Sequence, residues 1–161
     1  MINLSLIAAI GKNNELGKNN TLIWHLKDDL KFFKETTNGK TIVMGYNTFM
    51  SLPKLLPNRN HIILTSKNIQ INGATICHSK EEILNIIKEI KEEVFIIGGE
   101  SIYKLFLNDV NNMYLTEIES EFDADVFFPK FNKDEFIQEI LGENVNDNIK
   151  FQHVKYRRKE K

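Results

Sequence analysis

The chain has 161 residues, 42% hydrophobic and 27% charged, with 21 Lys and Arg against 22 Asp and Glu. This is enough for one buried core and is far from the high-charge, low-hydrophobicity pattern of disorder. A formal net charge of -1 gives no long-range field for nucleic acid or anionic lipid, and a lone Cys77 excludes an intramolecular disulfide or a cysteine metal cage, as expected in a reducing, cytoplasmic setting.

Residues 4–10 (LSLIAAI) form a continuous apolar run closed by Gly11, the pattern of a strand buried on both faces of a parallel sheet. This run lacks a basic leader and is far shorter than the roughly 20 apolar residues that span a membrane, so it reads as a first strand and no membrane partner is expected. Residues 11–20 (GKNNELGKNN) follow as a polar loop long enough to serve as a mobile lid. Residues 26–36 have helical spacing. Positions 26, 29, 30 and 33 share one face, which sets Asp29 among Leu26, Leu30 and Phe33 while Lys27, Asp28, Lys31 and Lys34 face outward. A carboxylate on an apolar stripe is costly to bury unless it binds something polar. The alternative is a first-turn acid favoured by the helix dipole.

Further apolar runs at 41–44, 61–64, 74–77 and 94–97 predict strands, and patterns at 48–52, 79–90 and 100–107 predict helices between them. Ser79, followed by Glu81 and Glu82, has the form of an N-cap with acids in the first turn. Arg59, in the turn 57–60, is the sole guanidinium outside the C-terminal pair Arg157 and Arg158. It suits either a forked pair with a ligand carboxylate or a surface salt bridge. Gly98 and Gly99 stand between a strand and a helix start, where bare backbone and free N–H groups suit a pyrophosphate, although a tight turn explains them equally. Strands without a long intervening helix then fill 112–118, 136–141 and 149–158, with 142–148 (GENVNDN) as a surface hairpin. The sum is one α/β domain over 1–161: a mixed, mostly parallel central sheet flanked by helices, with antiparallel strands at the C-terminal end. Histidines 25, 61, 78 and 153 are scattered without ligand spacing, so no metal site is expected, and no GxSxG or Walker motif occurs.

In order and spacing, LIAAIGKNNELG, NNTLIWHLKDDLKFFKETT, TIVMGYNTFMSL, LPNRNHIILTS, VFIIGGESIY, MYLTEIE and DADVFFP make nearly the whole chain resemble the bacterial, single-domain dihydrofolate reductases. The resemblance implies that fold, and NADPH-dependent reduction of 7,8-dihydrofolate to 5,6,7,8-tetrahydrofolate by hydride transfer to pterin C6 with protonation at N5. By matching positions it implies a catalytic group of Asp29, Leu22, Trp24 and Thr116. Asp29 would hold the pterin 2-amino group and N3, Thr116 would reach it through its hydroxyl and a water, and the proton would come from water admitted near Leu22. Ile7, Ala9, Leu30, Phe33, Leu52, Leu56 and Ile97 would line the pterin and benzoyl rings, and Arg59 would grip the α-carboxylate of the glutamate tail.

For the cofactor, the resemblance implies that the backbones of Ala9 and Leu16, with Gly17 beside them, hold the nicotinamide carboxamide. Gly45, Tyr46, Asn47, Thr48, Ile97, Glu100, Ser101, Ile102 and Tyr103 would surround the pyrophosphate and nicotinamide, over a Gly98–Gly99 pair joined by a cis peptide. Leu64, Thr65, Ser66 and Lys67 would take the adenosine 2′-phosphate, favouring NADPH over NADH. Antifolate inhibitors as ligands, a monomeric state and no nucleic-acid partner belong to the same expectation. Two positions depart from the pattern: Ile23 stands where the family commonly has Pro, loosening the helix entry, and Tyr46 replaces an Arg, leaving the 2′-phosphate more dependent on Lys67. Rival readings are another NADPH-dependent pterin or pyrimidinone reductase of the same fold, which would lack the Trp-x-Leu-x-x-Asp-Leu run with Phe33 and Arg59, and a non-catalytic folate- or nucleotide-binding protein.

Overall fold

The computed structural model describes residues 2–18, 21–22, 26–52 and 54–160, with the backbone alone at 18, 21 and 22. In chain order the elements are β1 (Leu4–Ile10), β2 (Glu15–Lys18), β3 (Thr21–Leu22), α1 (Lys27–Thr37), β4 (Thr41–Gly45), α2 (Tyr46–Ser51), β5 (Asn60–Leu64), β6 (Ala74–Cys77), α3 (Lys80–Ile87), β7 (Val94–Gly98), α4 (Glu100–Phe106), β8 (Asn112–Ile118), β9 (Val126–Phe127), β10 (Phe136–Asn146) and β11 (Ile149–Arg158). Eight strands make one sheet in the order β10-β11-β8-β1-β7-β4-β5-β6. All neighbours from β8 to β6 pair in parallel, while β11 runs antiparallel to β8 and β10 antiparallel to β11. The mixed sheet with antiparallel strands at one end is the architecture read from the apolar runs.

The side-chain period of two sorts the core into layers. Leu4, Leu6, Ala8 and Ile10 of β1 join Val43, Ile62 and Ile96 in a cluster closed by Ile83 and Ile87 of α3 and Ile102, Tyr103 and Phe106 of α4. Ile7 points the other way, with Ile42, Met44, Ile63 and Phe95, onto Phe32 and Phe33 of α1 and Phe49 of α2. Parallel strands covered on both faces need apolar side chains at every position, which is why these runs are continuous rather than alternating.

Local chemistry sets the helix ends. The Ser79 hydroxyl accepts the Glu82 N–H at 3.2 Å, so α3 has the predicted cap, and its Ile83 and Ile87 are fully buried one turn apart. By contrast, α1 starts after Leu26, which offers no capping side chain. Its cap comes from the distant β10: Asn146 Oδ1 accepts the Asp28 N–H at 3.0 Å, and Asn146 Nδ2 donates to Asp28 Oδ2 at 2.8 Å.

Two expectations are corrected. Within the stretch read as a polar loop, residues 15–18 form β2, paired with β3 and β9 in a second, three-stranded sheet. Glu15 explains how a polar stretch can do this: only 1% exposed, it accepts N–H bonds from Asn13 at 2.6 Å and Phe122 at 2.8 Å. The strand begun at 136 runs on to Asn146, past a register shift between Ile140 and Gly142, so the hairpin turn is Asp147–Asn148 alone. Both turn residues have left-handed φ, 51° and 64°, which Asp and Asn tolerate and a two-residue hairpin requires. The polar run 142–146 is legible as a loop only because β10 is an edge strand with mostly exposed side chains.

Ser79→Ala is expected to lower unfolding stability by about 1 kcal/mol, measured by urea denaturation, because one N-terminal amide of α3 loses its partner.

Candidate active site

In a parallel sheet the loops after the strands gather at the carboxyl ends, where ligands of such folds bind. Here Ile10, Gly45, Leu64, Cys77, Gly98 and Ile118 end β1, β4, β5, β6, β7 and β8, and most of the sequence-predicted residues lie at or just beyond them.

Asp29 projects from α1 with its side chain 19% exposed. Its Oδ1 accepts the Thr116 hydroxyl at 2.5 Å and lies 3.2 Å from His153 Nε2. The Thr116 bond is direct, where a water-mediated link was expected; Ala9 pairs Thr116 across β1 and β8, and Thr116 pairs His153 across β8 and β11, so all three point to the α1 face. His153 is 5% exposed, and its ring stacks on Phe32 at 3.9 Å. Among the described residues, Oδ2 of Asp29 has no partner.

Around this acid the apolar wall assembles. Ile7, Phe33, Leu52, Leu56 and Ile97 share one cluster, and Ala9 packs with Leu26, Ile118 and Phe151 beside it. Leu30 belongs to neither and is 49% exposed. The helix turns its 26–29–33–37 line inward, which leaves Leu30 on the rim of the stripe. At the far end of α1, Arg59 donates to the Lys34 carbonyl at 2.5 Å, the Thr37 hydroxyl at 3.2 Å and its own turn's Pro57 carbonyl at 2.6 Å. These partners are neutral, so the surface salt bridge does not form among the described residues and the guanidinium charge stays uncompensated while its geometry is set.

A second group of residues meets across the ends of β4 and β7. Gly98 has φ +119° and is joined to Gly99 by a cis peptide. A Cβ on Gly98 would lie 3.2 Å from the Tyr103 hydroxyl, one on Gly45 would lie 3.1 Å from Ile102, and one on Gly99 would lie 3.5 Å from Thr48 Oγ1. Gly45, Thr48, Gly98, Gly99, Ile102 and Tyr103 therefore converge, with glycine needed at 98 for its backbone conformation and at 45 for the close approach of α4. Tyr103 also donates its hydroxyl to the Ile7 carbonyl at 2.8 Å, tying α4 to β1; burial pushes its phenol well above the usual range, with the Asp29 charge adding to it. Glu100 instead turns outward, accepting the Phe127 N–H at 2.7 Å, and Asn47 and Ser101 are exposed.

Beyond Leu64, which pairs with Gly45, Thr65 Oγ1 accepts the Lys67 N–H at 3.1 Å. Lys67 Nζ lies 4.9 Å from the centre of the Tyr46 ring, Ser66 is exposed, and His78 Nδ1 donates to the Thr65 carbonyl at 2.8 Å. Leu16 is buried in β2 beside Gly17, whose carbonyl accepts the Asp125 N–H at 3.0 Å. Trp24, Ile23 and the Leu22 side chain lie outside the described residues. Sequence reasoning passed over His153, His78 and His61. Their spacing carries no signal, because each acquires its partner only through strand pairing or a turn.

The family model described as dihydrofolate reductase matches residues 3–158. The dihydrofolate reductase of Staphylococcus haemolyticus is 39% identical over 147 residues, 91% of this chain and 88% of that protein. That of Haemophilus influenzae is 38% identical over 132 residues, 82% of each. A solved structure of dihydrofolate reductase from Enterococcus faecalis, complexed with NADP(H) and RAB-propyl, superposes with a TM-score of 0.86 at 34% identity, covering 98% of this chain and 96% of that one.

His61, 3% exposed, accepts the Leu56 N–H on Nε2 at 3.0 Å and so shapes the turn that carries Leu56 and Arg59. Burial holds its ring below the usual 6.5, a bond that the ring donates to the Arg59 backbone opposes this, and the Arg59 charge adds to the lowering. A lowered pKa in the folded chain means the unfolded chain takes the proton first; the stability is whole above the unfolded value and is lost as pH falls through the folded one. The unfolding free energy of the wild type, read from urea denaturation, is therefore expected to fall more between about pH 7.5 and about pH 5.5 than that of His61→Gln, which keeps an acceptor, by at most about 1.4 kcal/mol per pH unit. Parallel slopes would remove His61 from this account.

Proposed function

The chain belongs to the dihydrofolate reductase family, and from that membership we infer that it is an NADPH-dependent oxidoreductase converting 7,8-dihydrofolate to 5,6,7,8-tetrahydrofolate. The observation that carries the reading is Asp29: an acid on the apolar side of a helix, held by Thr116 and His153 through one oxygen while the other has no partner among the described residues. A planar heterocycle with adjacent N–H donors, such as a pterin, is the complement of that group.

The residues present fit the cofactor by their donor chemistry. Bare backbone at Gly98 and Gly99 suits a pyrophosphate, and the Lys67 cation beside the Thr65 and Ser66 hydroxyls suits a 2′-phosphate. When bound, NADPH supplies a hydride from nicotinamide C4 to pterin C6. The chain's own part is alignment and electrostatics. Asp29 would accept from the 2-amino group and N3, orienting the ring and making N5 more basic. Ile7, Phe33, Leu52, Leu56 and Ile97 would exclude water along its faces, and Arg59 would bind the glutamate α-carboxylate through the N–H groups left over from its three neutral contacts. The segment through Leu22 would close over the nicotinamide, admitting the water that protonates N5. Thr48, Ile102 and Tyr103 would flank the nicotinamide and pyrophosphate, with the Ala9 and Leu16 backbones at the carboxamide. A single domain over 1–161, a monomeric state, a cytoplasmic location, antifolate inhibitors as ligands and no nucleic-acid partner belong to the same proposal.

Loss of NADPH absorbance on adding dihydrofolate, abolished by methotrexate, tests the activity; no loss would overturn it. Asp29→Asn is expected to reduce kcat by about a hundredfold or more while leaving the NADPH dissociation constant, read by fluorescence titration, close to wild type. A large loss of NADPH binding would mean that Asp29 is misassigned. Hydride transfer in the wild type is expected to slow as pH rises and the N5 proton becomes scarce, and a flat stopped-flow profile would contradict this.

A further inference from the structure

Nothing in the reaction outlined above uses His153, yet it sits on the acid. The residue is 5% exposed, its ring lies flat on Phe32 at 3.9 Å and edge-on to Phe151 at 5.6 Å, and its Nε2 is 3.2 Å from Asp29 Oδ1. A carboxylate oxygen only accepts, so Nε2 is the protonated, donating nitrogen. Thr116 donates to the same oxygen. Two donors from adjacent strands on one oxygen hold the carboxylate against rotation about its Cβ–Cγ bond and draw charge toward Oδ1, away from Oδ2.

We propose that His153 is a positioning residue for the reduction: its Nε2–H, with the Thr116 hydroxyl, locks the plane of the Asp29 carboxylate, presents Oδ2 to the pterin and tempers the negative charge that the pterin meets. The proposal rests on the assignment of Asp29 to the pterin. Asp29 is the charged group that faces His153 among the described residues; its other neighbours there, Thr116, Phe32 and Phe151, do not titrate.

Two substitutions separate the ring from the donor. His153→Phe keeps a ring to stack on Phe32 but removes the N–H, whereas His153→Gln loses the ring and keeps an amide donor of similar reach. With the donor gone, more charge faces the pterin and N5 becomes more basic. The midpoint of the fall in hydride-transfer rate with pH is therefore expected to move up by about half to one pH unit in His153→Phe, and kcat is expected to drop about tenfold as orientation is lost. NADPH affinity should hold, and His153→Gln should restore both the midpoint and most of kcat. A merely structural histidine would give the reverse ranking, with Phe tolerated, Gln impaired and neither midpoint displaced, and that result would overturn the proposal. Should the Phe variant not fold, His153→Asn, whose shorter amide falls short of Oδ1, is expected to show the same displaced midpoint, and an undisplaced one counts equally against it. Asp29→Asn serves as the control: if it leaves turnover intact, the pterin assignment fails and the role of His153 with it; if it abolishes turnover while both His153 variants keep the wild-type midpoint, only the positioning role fails.

Discussion

One oxygen of Asp29, shared between the hydroxyl of Thr116 and the ring of His153, joins the first helix to the antiparallel end of the sheet. A carboxylate taken largely out of water costs free energy unless donors replace the lost solvent, and leaving it unpaired costs more than the bonds return. α1 can therefore carry an acid on its inner face only where β8 and β11 supply those donors. The same hairpin caps the helix: Asn146, at the tip of β10, bonds both the Asp28 N–H and the Asp28 carboxylate. At its other end the helix is held by Arg59. The acid is thus placed by contacts drawn from the turn before β5 and from the last strands of the chain, and its geometry is a property of the whole domain.

The parity of the strands divides the work between the two faces of the sheet. Leu4, Leu6, Ala8 and Ile10 of β1 face α3 and α4 and are purely core. Ile7 and Ala9 alternate with them toward α1, beside Thr116. A one-residue slip of β1 would exchange these sets, placing large core side chains under the apolar wall beside Asp29 and Ile7 in the core, so packing on one face enforces register on the other. Tyr103 crosses between the layers, bonding the Ile7 carbonyl and standing against Gly98, which couples the glycine pair to the strand beside the acid.

Much of this was legible in the amino acids. Continuous apolar runs betray strands covered on both sides, because burial on two faces forbids alternation. The inward Asp29 is visible from helical periodicity, and the Ser79 cap from a hydroxyl followed by acids. β2 was hidden because its one buried carboxylate, Glu15, is satisfied by backbone N–H groups of residues that no local pattern connects to it. The extension of β10 was hidden for the opposite reason: an edge strand buries few side chains and so leaves little hydrophobic pattern to read. Leu30 was placed among the walls through the family pattern, and the docking angle of α1 sets it at the rim, half exposed.

By itself the sequence determined the layer plan, the inward acid, the glycine pair at the end of a strand and, through ordered motifs, the family; these are local or periodic properties that each segment carries in its own residues. Tertiary structure alone decided what the acid bonds, since His153 and Asn146 reach α1 only after β8, β11 and β10 have paired. Strand register is a relation between segments more than a hundred residues apart in the chain for Asp29 and His153, and no single segment encodes it.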